Sequence, residues 1–311
     1  MRMSFSGEFS FFRYRPTAVL KITGPDSQSF LQGQFTQELR ASHENAVAYG
    51  LWLNQKGKVL ADSFVIRESA ETWWVVSLFT AAAALRERLE AYLIADEVEI
   101  NDVTEEWEGL ATVGAEADAR LAKVGSVPSE NAFSRVGEGF VFRGRRATSK
   151  IWEWLLPFGQ TEAVLGRLGG GRELTALEME WTRIAAGIPA IPRDIGPGDL
   201  PNEGGLEQSA ISYTKGCYLG QEVMARLKTM GQVRRRLMRV RIPGKQVPSL
   251  PADLWARGKK VGDLRSVAVG ESTDTTIGLA MISLVNVGAE KRLGFSADGR
   301  PVVEIQDLAH E

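Results

Sequence analysis

The sequence predicts an α+β protein: helices over an antiparallel or mixed sheet, followed from about residue 232 by a small all-β barrel or sandwich. Three observations predict it. Strand-length apolar runs stand on both sides of a helical stripe at 80–93. A second succession of strands and helices runs from 140 to 185. Beyond 232 the pattern changes to short strands and turns, with runs at 237–242, 260–264, 267–269 and 277–285.

Ala18 to Ile22 reads as a short strand closed by Gly24-Pro25-Asp26, and Asp26 is placed to cap a helix running to about Leu39. Ala46–Leu53 and Val59–Ile66 form a strand-turn-strand pattern around Gly57, which is free to take positive φ. Trp73–Leu78 is a further strand. Thr80 then opens a helix that sets Leu85, Leu89, Tyr92 and Leu93 on one stripe. Val98 and Ile100 alternate with acids, and 110–113 is another short apolar run. The Gly-, Ser- and Pro-rich stretch Ser126–Gly139 reads as a boundary. Strands follow at 140–142 and 151–155, then a helix after Gly169-Gly170-Gly171 with Leu174, Leu177, Trp181 and Ile184 spaced by three and four. Pro189–Gly205 holds too much proline and glycine for a regular element, and a short helix spans 223–228.

At 311 residues the chain exceeds one ordinary core, so two or three domains are expected. A net charge of −2 gives no whole-molecule drive toward nucleic acid or membrane. A single cysteine excludes an intrachain disulfide framework and points to a reducing compartment. Glu8, Arg13 and Arg15 interrupt the N-terminus as a secretory signal, and no apolar run approaches the roughly 18 residues of a bilayer span. A cytoplasmic protein is expected. The triple glycine lacks a Lys-Ser ending and no Gly-x-Gly-x-x-Gly follows a strand, which argues against the familiar nucleotide loops.

The one cysteine, Cys217, stands in Thr214-Lys215-Gly216-Cys217-Tyr218-Leu219-Gly220-Gln221-Glu222. Free cysteine is often a buried filler. Glycines on both sides, Lys215 close by and a helix just beyond would instead suit an accessible thiolate. The residues leave both readings open. With only His43 and His310 in the chain, a Cys-His hydrolase has little to build on, and no all-protein zinc or iron-sulfur ligand set exists. Asp62, inside the run Val59–Val65, is either an outward residue of a half-buried strand or a carboxylate at a pocket wall. Glu203, on the loop Leu200–Leu206, carries the same ambiguity. From Arg226 to Lys245 there are eight cations and no acid, including Arg234, Arg235, Arg236, Arg239 and Arg241. This stripe reads as a solvated face or as an RNA-contacting one.

Lys215-Gly216-Cys217-Tyr218-Leu219-Gly220-Gln221-Glu222 resembles the signature Lys-Gly-Cys-Tyr-x-Gly-Gln-Glu of the YgfZ family, folate-binding relatives of the glycine-cleavage T-protein (aminomethyltransferase). The likeness extends to Ile22–Asp26, Phe30–Thr36, Asn54–Asp62, Arg183–Pro189, Leu200–Glu203 and Val261–Ser266. It implies a three-domain ring of T-protein type. A discontinuous folate-binding domain would occupy 1–45 and 140–231, a ferredoxin-like insert 46–139 and a C-terminal β-barrel 232–311. It also implies tetrahydrofolate as cofactor, no resident metal, and contacts to folate from Asp62, Glu203, Arg183, Tyr218 and Gln221. Cys217, with Lys215, would carry the chemistry, as a sulfur or cluster ligand or as a one-carbon acceptor. The partners implied are iron-sulfur client proteins, with tRNA modification downstream and RNA contact through Arg226–Arg241. An aminomethyltransferase or a folate-dependent demethylase is the second reading, and Gly216-Cys217-Tyr218 departs from the T-protein motif. Where relatives carry an acid after Arg-Ile, this chain has Ala185.

Overall fold

The computed structural model describes residues 9–40, 43–245, 248–271 and 274–306. The first strands are β1 (Ser10–Tyr14), β2 (Ala18–Thr23), β3 (Val47–Leu53), β4 (Val59–Arg67), β5 (Thr72–Ser77) and β6 (Glu99–Asp102). They are followed by β7 (Trp107–Val113), β8 (Phe133–Val136), β9 (Gly139–Arg143), β10 (Ile151–Pro157) and β11 (Arg172–Glu173). The C-terminal strands are β12 (Arg235–Pro243), β13 (Ala252–Ala256), β14 (Lys259–Val269), β15 (Thr275–Ser283), β16 (Arg292–Leu293) and β17 (Val303–Gln306). The helices are α1 (Ser27–Gln32), α2 (Ala82–Glu90), α3 (Ala117–Leu121), α4 (Thr161–Leu168), α5 (Ala176–Ala185), α6 (Gln221–Met230) and α7 (Leu284–Val287).

Three sheets organise these elements. One, ordered β3-β4-β5-β2-β6, is antiparallel throughout. A second runs β11-β1-β7-β10-β9-β8, with only the β1–β11 pair parallel. The third, β13-β14-β15-β12-β17-β16, curls until Trp255 and Gly294 exchange backbone hydrogen bonds of 2.9 and 2.8 Å, which brings its two edges together as a nearly closed barrel. Sheet membership crosses residues 45/46 and 139/140. β2 completes the sheet of 47–102, and β7 and β8 join β1, β9 and β10. The pairing is long-range, which no local composition change marks.

The first two sheets pack face to face through Phe64, Trp74 and Val76 on one side and Trp107, Phe133, Phe140 and Phe142 on the other. The Trp74 and Trp107 rings meet edge-on at 5.0 Å, as do Phe133 and Phe140. The far face of the first sheet is covered by α1 and α2 through Leu31, Leu85 and Leu89. Covered on both faces, β5 therefore reads as an unbroken apolar run, Trp73-Trp74-Val75-Val76. α3 and α4 pack on Trp152 and Trp154 of the second sheet. A further core joins Leu51, Leu53 and Val59 to Ile184, Tyr218 and Met224 and to the barrel residues Leu237, Leu279 and Met281.

Several local expectations differ from the structure. The helix expected to reach Leu39 stops at Gln32, because Phe35 turns back onto Gly50 and pairs with Trp52. A Cβ on Gly50 would lie 2.7 Å from the Phe35 ring, so only glycine admits this approach. Asp26 does not cap α1 with its side chain but accepts from the Glu97 N–H at 2.9 Å. Thr80 does not cap α2; its hydroxyl donates to the Ile191 carbonyl at 3.0 Å. α2 ends at Glu90, before Tyr92 and Leu93. Within 126–139, the β8–β9 hairpin replaces an irregular boundary. α5 is closed by a Thr175–Glu178 capping box, which leaves Leu174 buried ahead of the helix and Leu177 on its solvent side. The two runs at 260–269 are one bent strand, β14, with a register shift between Leu264 and Ser266.

Candidate functional site

The turn between β3 and β4 is the platform on which the cysteine segment rests. Gly57 takes φ +69°, and Val223 and Met224 of α6 sit where its Cβ would be. Gly220 takes φ +86°, and a Cβ there would lie 2.8 Å from the Asn54 carbonyl. Two residues that must be glycine thus let the segment lie directly on this turn.

Lys215 fastens the other side. Its side chain is buried, and the ammonium donates to the carbonyls of Gln32 at 2.8 Å, Phe35 at 2.6 Å and Gln37 at 3.0 Å. These lie at and just beyond the end of α1, where helix carbonyls have no partner in the helix itself. Burial pulls the amine's pKa down to about 8, against the opposing charge of Glu38. Backbone bonds Ser212–Thr36 and Leu219–Gly33 complete the join. Tyr218 points into the shared core, its ring 5.2 Å from the Lys215 ammonium, and burial raises its pKa. Gln221, the first residue of α6, reaches the Lys215 carbonyl at 3.5 Å. Cys217 is exposed at the tip, which removes the filler reading of this cysteine.

Asp62 lies elsewhere, on β4 opposite Leu51. Alternation puts it on the same face as Phe64, the face that meets the second sheet, so it points inward. Its Oδ2 accepts from the Tyr49 hydroxyl at 2.9 Å, and its buried Oδ1 has no hydrogen-bond partner among the described residues. Burial raises its pKa to about 6, opposed by the Tyr49 hydrogen bond and the Arg145 charge. Tyr49 is also the wall of a cavity of about 580 Å³, shared with Phe64, Arg143, Arg145, Gln37 and Ser209. The Arg145 guanidinium lies 4.1 Å from the centre of the Tyr49 ring and donates to Ser209 at 3.0 Å. The volume is ordinary for a small-molecule site.

Arg183 and Glu203 are not gathered at this cavity. All five guanidinium N–H groups of Arg183 are engaged: two with Glu180, and one each with Ile188, Asp194 and Ser266 of β14. Asp194 also accepts from the Ser266 hydroxyl, which locks α5 and the 188–199 loop onto the barrel. Glu203, in a short 3₁₀ turn, accepts from Arg235 at 2.9 and 3.0 Å and from the Leu200 N–H at 2.7 Å. Asp199 bridges Arg235 and Arg265 beside it. The basic stripe therefore divides. Arg235 faces Glu203 and Asp199, Arg239 donates to the Ala185 carbonyl at 2.7 Å, and Arg226, Lys228, Arg234 and Arg241 are exposed. His310 lies outside the described residues, and His43 is at the rim of the cavity. Among the described residues no group of three or more His, Cys, Asp and Glu side chains could hold a metal ion.

Tyr49, Arg143, Arg145 and Ser209 were not legible as site residues. No spacing rule joins residue 49 to 145 and 209, and Arg143-Gly144-Arg145-Arg146 reads locally as a charged turn.

Comparison with known proteins places this architecture. A model of the GCVT N-terminal domain matches residues 9–141, and one of the CAF17 C-terminal beta-barrel domain matches residues 234–305. The mitochondrial iron-sulfur cluster assembly factor IBA57 of Homo sapiens is 28% identical over 277 residues, covering 82% of this chain and 74% of that protein. The tRNA-modifying protein YgfZ of Cronobacter sakazakii is 28% identical over 248 residues, covering 76% and 72%. The crystal structure of glycine cleavage system aminomethyltransferase T from Bartonella henselae superposes with a TM-score of 0.81 over 98% of this chain and 86% of that one. At 19% identity that likeness describes the fold alone. None of the described helices is long and apolar enough to cross a membrane. The chain thus joins a GCVT N-terminal domain to a CAF17-type C-terminal barrel, has homologues named IBA57 and YgfZ, and is built on the fold of the glycine-cleavage T-protein.

Proposed function

We propose that this chain is a cytoplasmic tetrahydrofolate-binding protein that supports assembly or repair of iron-sulfur proteins and, through them, tRNA modification. The observation that carries the folate reading is Asp62: an inward carboxylate with a buried, unpartnered Oδ1, joined through its Oδ2 to Tyr49, which lines a cavity of about 580 Å³. Such an oxygen is costly without a donor. The adjacent ring N–H and amino groups of a reduced pterin supply one, and Tyr49 and Phe64 offer aromatic wall. When bound, tetrahydrofolate supplies a nitrogen that carries one-carbon units. The chain's own residues hold and orient it, and Lys215 keeps the cysteine segment fixed on the same scaffold.

Cys217 is the working thiol. It is exposed on an anchored loop, and with no group of three or more candidate metal ligands among the described residues, a cluster or sulfur in transit would be shared with the client protein. Arg226, Lys228 and Arg234, exposed on and after α6, are the part of the basic stripe open to RNA. Arg183 and Glu203 tie the loop at 188–204 to the barrel, holding the back of the site rather than facing the ligand.

Calorimetric titration with tetrahydrofolate tests the reading, with saturable binding expected for the wild type and loss of most of it in Asp62→Ala. Unchanged binding in that variant would remove Asp62 from the site. In a strain lacking its YgfZ-type protein, Cys217→Ala should fail to complement. Robust aminomethyl transfer from a lipoyl carrier protein would instead favour the transferase reading that the fold alone suggests.

A further inference from the structure

We infer that Arg143 and Arg145 form an anion subsite in the cavity, which takes the carboxylates of the ligand's glutamyl tail. The inference rests on the folate reading above and deepens it.

Arg143 ends β9, and Arg145 follows two residues later, so both line the same cavity. Each guanidinium keeps a buried N–H-bearing nitrogen with no hydrogen-bond partner among the described residues, Nη1 of Arg143 and Nε of Arg145. An unfilled donor on a permanent cation is expensive to bury, and a carboxylate satisfies both the charge and the hydrogen-bonding need. Burial lowers the pKa of Arg143, with the charges of Glu130 and Asp118 opposing, so those acids do not fully offset its desolvation.

The other polar groups around the cavity fit this division. Glu130, Asn131 and His43 are exposed at the rim, where water screens them. The Glu38 carboxylate is turned to the Arg40 N–H at 2.7 Å. Asp62 meets the cavity through Tyr49, whereas Arg143 and Arg145 line it directly, so acceptor and donors hold separate positions. A ligand with N–H donors at one end and carboxylates at the other matches that separation. Arg145 lies against Tyr49, and Arg143 faces the charges of Glu130 and Asp118.

The test compares three probes by calorimetry or intrinsic fluorescence: tetrahydrofolate, 6-methyltetrahydropterin without a tail, and p-aminobenzoyl-glutamate without a pterin. Arg143→Gln should weaken tetrahydrofolate and p-aminobenzoyl-glutamate by tenfold or more and leave 6-methyltetrahydropterin within twofold. Arg143→Lys, which keeps the charge and loses the fork, should fall between. Thermal unfolding of each variant identifies any loss of fold, and Arg145→Gln gives the same readout from a second position. If tetrahydrofolate binds wild type and Arg143→Gln equally, or if pterin and folate weaken by the same factor, the tail assignment is wrong. If no probe binds the folded wild type, the folate reading itself falls, and the tail assignment with it.

Discussion

The ammonium of Lys215 lies 2.8 Å from the carbonyl oxygen of Gln32, a contact across 183 positions of chain. The same ammonium holds the carbonyl of Gln37, whose side of the chain lines the cavity, so one side chain couples the cysteine segment to the cavity wall. Replacing Lys215 with Met leaves the Gln32, Phe35 and Gln37 carbonyls without that donor. A loss of roughly 2 kcal/mol in urea-determined stability is expected. Unchanged stability would mean that desolvation of the buried amine cancels its hydrogen bonds.

Asp62 makes stability depend on pH in an identifiable direction. Its folded pKa, raised to about 6, exceeds the unfolded value near 3.8, so the native state binds the proton more tightly. The native state is thus favoured by protonation at low pH, and stability falls as pH rises from about 4 through 6. Asp62→Asn removes that penalty. It should be more stable than wild type at pH 7.5, by about 3 kcal/mol, and near parity at pH 4. Paired denaturation curves at the two pH values check this, and an equal difference at both would show that the carboxylate stays ionised throughout.

Arg183→Met should be the most damaging of these changes. It strands Asp194, which is fully buried, and releases the barrel from α5. A loss of about 3–5 kcal/mol is expected for breaking such a pair from one side, read as a shift in the denaturation midpoint.

Gly220→Ala forces a side chain into a left-handed conformation and onto the Asn54 carbonyl. Roughly 1–3 kcal/mol should be lost. The rate of Cys217 alkylation should change in the same variant, because the turn that seats the thiol must shift; an unchanged rate would separate the turn from the thiol.

Cys217→Ser should leave stability within about 0.5 kcal/mol, since the side chain is exposed and packs no core. A large loss of thermal stability would show that the sulfur contributes to packing after all.

The strand-helix succession was readable because apolar periodicity records how each element is buried. Trp73–Val76, Val59–Ile66 and the short strands after 232 appear where the pattern places them. Helix ends were less readable. α1 stops early because Phe35 packs on Gly50 and Lys215 takes the terminal carbonyls, both of them contacts made by distant residues. Asp62 shows the same division within the site. Its place on β4 followed from the alternation around it, but its inward direction depended on the second sheet covering that face.

By itself the sequence determined the class of the protein, the position of its single thiol and the glycine-flanked segment that carries it, because these are properties of adjacent residues. Only the tertiary structure decided that Lys215 is an anchor, that Arg183 and Glu203 spend their polar atoms on the barrel, and that Tyr49, Arg143 and Arg145 share a cavity with Ser209. The physical reason is that charge pairing and desolvation act between groups brought together by sheet pairing and core packing. Residue spacing along the chain carries no record of those distances.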